Sequence, residues 1–114
     1  MRAIGTPWGM AQSEETIGDG IVVYTTASHG GYRLSDERQA EVEARIPEFE
    51  PWAGTGWYEE DCDWAVVALM FPAAFPEDAQ QVARRTVSML RSNSAAWDAV
   101  GRAFGVPWGK ARTT

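Results

Sequence analysis

The chain has 114 residues, 45% of them hydrophobic, and carries ten lysines and arginines against sixteen acids for a net charge of −6. That length suits one domain, residues 1–114, able to bury a core without metal or disulfide staples, and the lone Cys62 excludes an intramolecular disulfide framework. The longest apolar run, Trp64 to Phe71, is too short to cross a bilayer, and the opening MRAIGTPWGM has no apolar signal core, so a soluble cytoplasmic protein without a membrane partner is expected.

In chain order, residues 10–17 read as a first strand, GDG at 18–20 as a turn, and the β-branched run IVVYTTA at 21–27 as a second strand. Both faces of that second strand are apolar enough to be covered, which places it inside a sheet. SHGG at 28–31 then reads as a structural junction, with Gly30 or Gly31 at positive φ and His29 held by hydrogen bonds. Ser35 caps a helix over 36–45, whose first turn carries Asp36 and Glu37 where the helix dipole favours negative charge, and Pro47 ends it. Residues 47–57, with two prolines and two glycines, form an irregular loop held down by Phe49, Trp52 and Trp57.

The stretch YEEDCDWAVVALMF at 58–71 is ambiguous: acids at its start suit a helix N-terminus, while WAVVALMF suits a buried strand. Val66-Val67, the following Pro72 and the lack of a capping glycine favour a strand over 64–71. Pro76 opens a helix over 76–92, and Ser94 caps a further one over 95–104 that Gly105 stops ahead of Pro107. These two helices form a hairpin against the sheet. The fold class is therefore α+β, a small antiparallel sheet with an N-terminal β-hairpin packed by about three helices. PWGMA at 7–11 recurs as PWGKA at 107–111, too short for a duplicated unit and better read as two turns that each bury a tryptophan near a chain end.

The ordered blocks TPWGMAQ, GIVVYTTASHGGYRLS and YEEDCDWAVVALMFP, spread over residues 6–72, resemble a family of small, functionally uncharacterised domains associated with proteobacterial chromosomes, plasmids and phages. The resemblance implies that Ser28, His29, Gly30, Gly31 and the Tyr58 to Trp64 block belong together, and it implies no reaction and no cofactor.

Residues 35–63 hold ten of the sixteen acids against Arg38 and Arg45, while residues 64–114 hold three acids against six bases. Phosphate binding needs clustered cations, and only Arg84, Arg85 and Arg91 approach that, so direct nucleic-acid binding is disfavoured and a basic protein surface is the expected partner. Its expected contact set is Asp36, Glu37, Glu41, Glu48, Glu50, Trp52, Trp57, Tyr58, Glu59, Glu60, Asp61 and Asp63, acids interleaved with aromatic anchors. The resulting expectation is a non-enzymatic acidic binding module, of the kind by which mobile elements inhibit host defence complexes of the CRISPR or restriction type through their nucleic-acid-binding surface.

The alternative is a small hydrolase-like enzyme using His29 with a carboxylate of the 59–63 block. Cys62 is a poor nucleophile for it, since Glu60, Asp61 and Asp63 flank the thiol and disfavour its ionisation. Ser28 lacks the G-x-S-x-G elbow, the metal spacings H-x-x-x-H and C-x-x-C are absent, and SHGGYR lacks the lysine of a phosphate loop. No catalytic residue, metal or cofactor is assigned. A homo-oligomer closed by exposed aromatics is a third reading.

Overall fold

The computed structural model describes residues 4–109. It opens on a minimal hairpin in which β1 (Gly5–Thr6) pairs antiparallel with β2 (Gly9–Met10) around Pro7-Trp8. Thr6 closes the turn from both sides: its Oγ1 donates to Gly9 O at 2.7 Å and accepts from Trp8 N at 3.1 Å, while Gly9 takes φ +123°. The strand expected at 10–17 is thus divided between β2 and β3 (Ser13–Gly18).

The expected hairpin is present as β3 and β4 (Ile21–Thr25), joined through Asp19-Gly20 with Gly20 at φ +77°. β4 ends at Thr25 rather than Ala27, and it lies in the interior of a four-stranded antiparallel sheet of order β3-β4-β5-β6. β5 (Gly30–Leu34) contains the two glycines that the sequence places in a turn. Neither has positive φ. Their requirement is space: a Cβ on Gly30 would approach Tyr24 O to 2.7 Å, and one on Gly31 would collide with the Trp8 ring and approach Tyr58 O to 2.5 Å. The turn between β4 and β5 is made instead by residues 26–29, where Thr26 Oγ1 donates to His29 O at 2.6 Å and accepts from His29 N at 3.1 Å.

Ser35 caps α1 (Asp36–Arg45) as expected, its Oγ accepting from Arg38 N at 3.2 Å, and its own N–H donates to Gly20 O at 2.9 Å. In the loop that follows, Phe49 is buried, stacked on Tyr58 at 6.4 Å and edge-on to Trp97 at 5.1 Å. The Trp52 side chain does not hold the loop down as expected; the residue is 85% exposed. The short strand β6 (Trp57–Glu59), which the sequence reading lacks, completes the sheet by pairing with β5.

The strand expected over 64–71 is a helix, α2 (Trp64–Met70). Ala65, Val66, Val67 and Ala68 are all wholly buried, because α2 lies against β5 and β6 on one side and α3 (Glu77–Leu90) on the other. A short helix covered all round shows no amphipathic period, so its pattern matches that of a buried strand. Gln80 Nε2 donates to Ala68 O at 2.7 Å, satisfying one of the carbonyls that the end of α2 leaves unpaired.

Pro72–Ala74 make a single 3-10 turn before α3. α4 (Ala95–Ala103) is capped by Ser94, whose Oγ accepts from Trp97 N at 3.2 Å, and it packs on α3. The C-terminal helix pair is thus present, but α2 separates α3 from the sheet. Among the described residues the architecture is α+β, with a two-stranded hairpin, a four-stranded antiparallel sheet and four α-helices.

The core joins sheet and helices through Ile21, Leu34, Val42, Ile46, Val66, Val67, Val87 and Val100, each at most 2% exposed. Each such side chain contributes about 1.5–3 kcal/mol relative to exposure. Arg91 ties the C-terminal end: its guanidinium donates to Asp98 Oδ1 and to Val106 O, and lies over the Trp108 ring at 4.8 Å. Trp108 remains 54% exposed, so the second Pro-Trp-Gly turn does not bury its tryptophan as the first does in part; Lys110 and Ala111 of that repeat lie outside the described residues.

Candidate functional site

The antiparallel register of β5 and β6 sets Gly31 opposite Glu59, and Glu60 N donates to Gly30 O at 3.1 Å. The SHGG segment and the 59–63 acids therefore meet in space. Between them, with the β1–β2 turn on one side and the α3–α4 junction on another, opens a cleft of about 530 Å³. Its walls include Trp8, Trp52 and Trp97, with His29, Cys62 and three carboxylates.

The four acids of this block have different roles. Glu59 is structural, since its carboxylate accepts from three successive backbone amides: Asp61 N at 2.8 Å, Cys62 N at 2.5 Å and Asp63 N at 2.9 Å. It caps the turn leading into α2, whose N-cap residue Asp63 makes no such bond within that helix. Glu60 and Asp61 are exposed, and Glu60 Oε2 stands 3.9 Å from Nδ1 of His29, which lines the cleft.

Asp63 is 5% exposed. Its Oδ2 accepts from Trp52 N at 2.9 Å, and among the described residues no lysine or arginine pairs with it. Burial raises its pKa from 3.8 to about 6, the Trp52 amide opposing and the Glu59 charge adding to the rise. Burial likewise raises the Cys62 thiol, with Glu59, Asp63 and Asp61 acting in the same direction. At neutral pH Cys62 is thus a protonated thiol, unsuited to nucleophilic attack. Among the described residues no three His, Cys, Asp or Glu side chains are arranged to hold a metal ion.

Of the other expected contact residues, Glu48 and Glu50 join Glu43 in a second groove of about 430 Å³, which Pro51 also lines. Asp36, Glu37 and Glu41 lie on exposed positions of α1 and line neither concavity, and Glu41 is paired with Arg38 at 2.8 Å. Trp57 is half-buried between Trp8, 5.8 Å away, and Tyr24, 5.7 Å away, with the Arg33 guanidinium over its ring at 4.6 Å. Tyr58 has no exposed surface, and its hydroxyl donates to Gln39 Oε1 at 2.5 Å, so it is a core residue with nothing to present to a partner. Ser28 is exposed in the 26–29 turn, its N–H directed to Thr26 Oγ1 at 3.4 Å.

Sequence reasoning did not find the other walls of the cleft, Trp8, Leu90, Asn93 and Trp97. Trp8 reads as a local turn anchor and Trp97 as a helix face, and only the packing of three distant segments puts them in one place. No helix among the described residues is long and apolar enough to cross a membrane. No curated protein and no solved structure matches this chain. Over residues 1–113 the sequence does match the family model described as a domain of unknown function, DUF7007, and the chain belongs to that family.

Proposed function

We propose that this protein is a non-enzymatic binding module that docks an acidic, aromatic face onto a basic surface of a protein partner. The observation that carries the reading is Trp52, 85% exposed at a cleft lined by Glu59, Asp61 and Asp63 and next in sequence to Pro51, which lines the groove of Glu43, Glu48 and Glu50. A large aromatic side chain left in water gains most by burial in a partner, and carboxylates near it speed encounter with a positive surface. The resemblance of residues 6–72 to small domains of chromosomes, plasmids and phages extends the proposal to its partner: a nucleic-acid-handling host defence complex whose nucleic-acid-binding surface the acidic face occupies.

Capture from a bacterial host lysate, with the bound proteins identified, tests this. The expected result is a nucleic-acid-handling complex retained by the wild type, released steeply as salt rises, and lost with Trp52→Ala. Capture of no nucleic-acid-handling protein, or capture indifferent to Trp52→Ala, refutes it.

One observation favours a second reading, a small hydrolase-like enzyme: the cleft joins His29 to the carboxylates of the 59–63 block. Against it stand the protonated Cys62 and the Glu59 carboxylate, whose oxygens are committed to backbone amides.

A further inference from the structure

Asp63 poses a chemical problem that the fold does not solve. Its side chain is almost wholly buried, one oxygen accepts a single amide hydrogen, and the other, Oδ1, accepts no hydrogen bond among the described residues while remaining open to the cleft. A buried carboxylate ordinarily stands beside a cation or within several donors. Among the described residues neither is present: no lysine or arginine lines the cleft, and His29, 60% exposed, faces Glu60.

Several of the remaining cleft residues have complementary chemistry. Trp8, Trp52 and Trp97 contribute indole rings, whose negative faces attract cations, and Asp61 adds a second carboxylate. Aromatic faces with unpaired carboxylates and no resident cation are complementary to a flat, positively charged group. Guanidinium meets that description better than ammonium, because it stacks on indole and can present two parallel N–H donors to one carboxylate.

We propose that this cleft is a recognition pocket for an arginine side chain of the partner protein, its guanidinium stacked among the tryptophans and bound to Asp63 Oδ1. This rests on the binding-module reading and supplies the partner's chemistry. Trp52 then has a double function, since its backbone amide fixes Asp63 while its exposed ring folds over the incoming side chain. The unpaired Asp63 charge is the half of an ion pair that the partner completes.

The probe is N-acetyl-argininamide titrated into the full chain, followed by the indole NH resonances of the tryptophans. N-acetyl-citrullinamide, uncharged and of similar shape, and N-acetyl-lysinamide are run beside it. Argininamide is expected to shift several indole resonances saturably, the citrulline derivative to leave them unmoved, and the lysine derivative to bind more weakly. Asp63→Asn and Trp52→Ala, each verified as folded by its amide spectrum, should weaken the interaction by about tenfold or more. No saturable shift, an equal response to citrulline, or unchanged binding by both variants overturns the pocket; equal binding of lysine overturns the choice of arginine.

The partner reading fails separately. If lysate capture yields no partner while argininamide binds as described, the pocket stands and the docking role falls. If a partner is captured equally by wild type and Asp63→Asn, the docking role stands and the pocket falls.

Discussion

Replacing Asp63 with asparagine keeps the shape of the side chain and the acceptor for Trp52 N, and removes only the charge. In the folded chain that charge is disfavoured: a pKa raised from 3.8 to about 6 corresponds to about 3 kcal/mol at about 1.4 kcal/mol per unit. Water at the cleft mouth screens part of this, leaving about 2 kcal/mol. Because the folded-state value lies above the unfolded one and the group is an acid, the full penalty is present above pH 6 and is relieved as the pH falls from 6 towards 3.8.

Asp63→Asn is therefore expected to be more stable than the wild type by about 2 kcal/mol at pH 7.5, which for a domain of this size raises Tm by roughly 8 °C. Near pH 4.5, where the native carboxyl is already mostly protonated, the difference should shrink below about 1 kcal/mol. Urea unfolding of both proteins at the two pH values reads this directly. An asparagine variant less stable than the wild type at pH 7.5, or a difference that does not change with pH, would refute the assignment of Asp63 as an uncompensated buried charge. If the variant is also the one that loses argininamide, stability and binding oppose each other at a single residue, as expected where a functional group is retained against the interest of the fold.

Glu59→Ala removes the acceptor of three backbone amides and should lower stability by about 2–3 kcal/mol in urea unfolding, with amides 61–63 losing protection from hydrogen exchange; unaltered protection would show that the turn holds itself. Gly31→Ala forces the new methyl against the Trp8 ring and Tyr58 O, so a loss of about 1–3 kcal/mol is expected together with a changed Trp8 environment in fluorescence; a neutral substitution would mean that the ring moves freely. Cys62 should react with iodoacetamide at pH 7.5 more slowly than glutathione does, because burial and three carboxylates suppress the thiolate. Faster reaction would revive the nucleophilic reading.

What was legible in the sequence was what short-range chemistry controls. The hairpin of β3 and β4 follows from β-branched residues around GDG, α1 from the Ser35 cap and early acids, and α3 and α4 from their proline and serine starts. Charge segregation was equally plain, since it needs no fold. The rest depended on contacts between distant segments. Val66 and Val67 belong to a helix because β5, β6 and α3 close on every side of it, and a run apolar in all directions carries no period to distinguish the two structures. Gly30 and Gly31 are strand residues whose missing side chains make room for Tyr24 O, Tyr58 O and the Trp8 ring, a steric demand made by atoms far along the chain. Likewise the four acids of residues 59–63 look alike in sequence. Tertiary packing made Glu59 a cap, left Glu60 and Asp61 in water, and buried Asp63 without a counterion among the described residues, because the neighbours that decide a carboxylate's charge come from the Trp52 loop and the cleft walls.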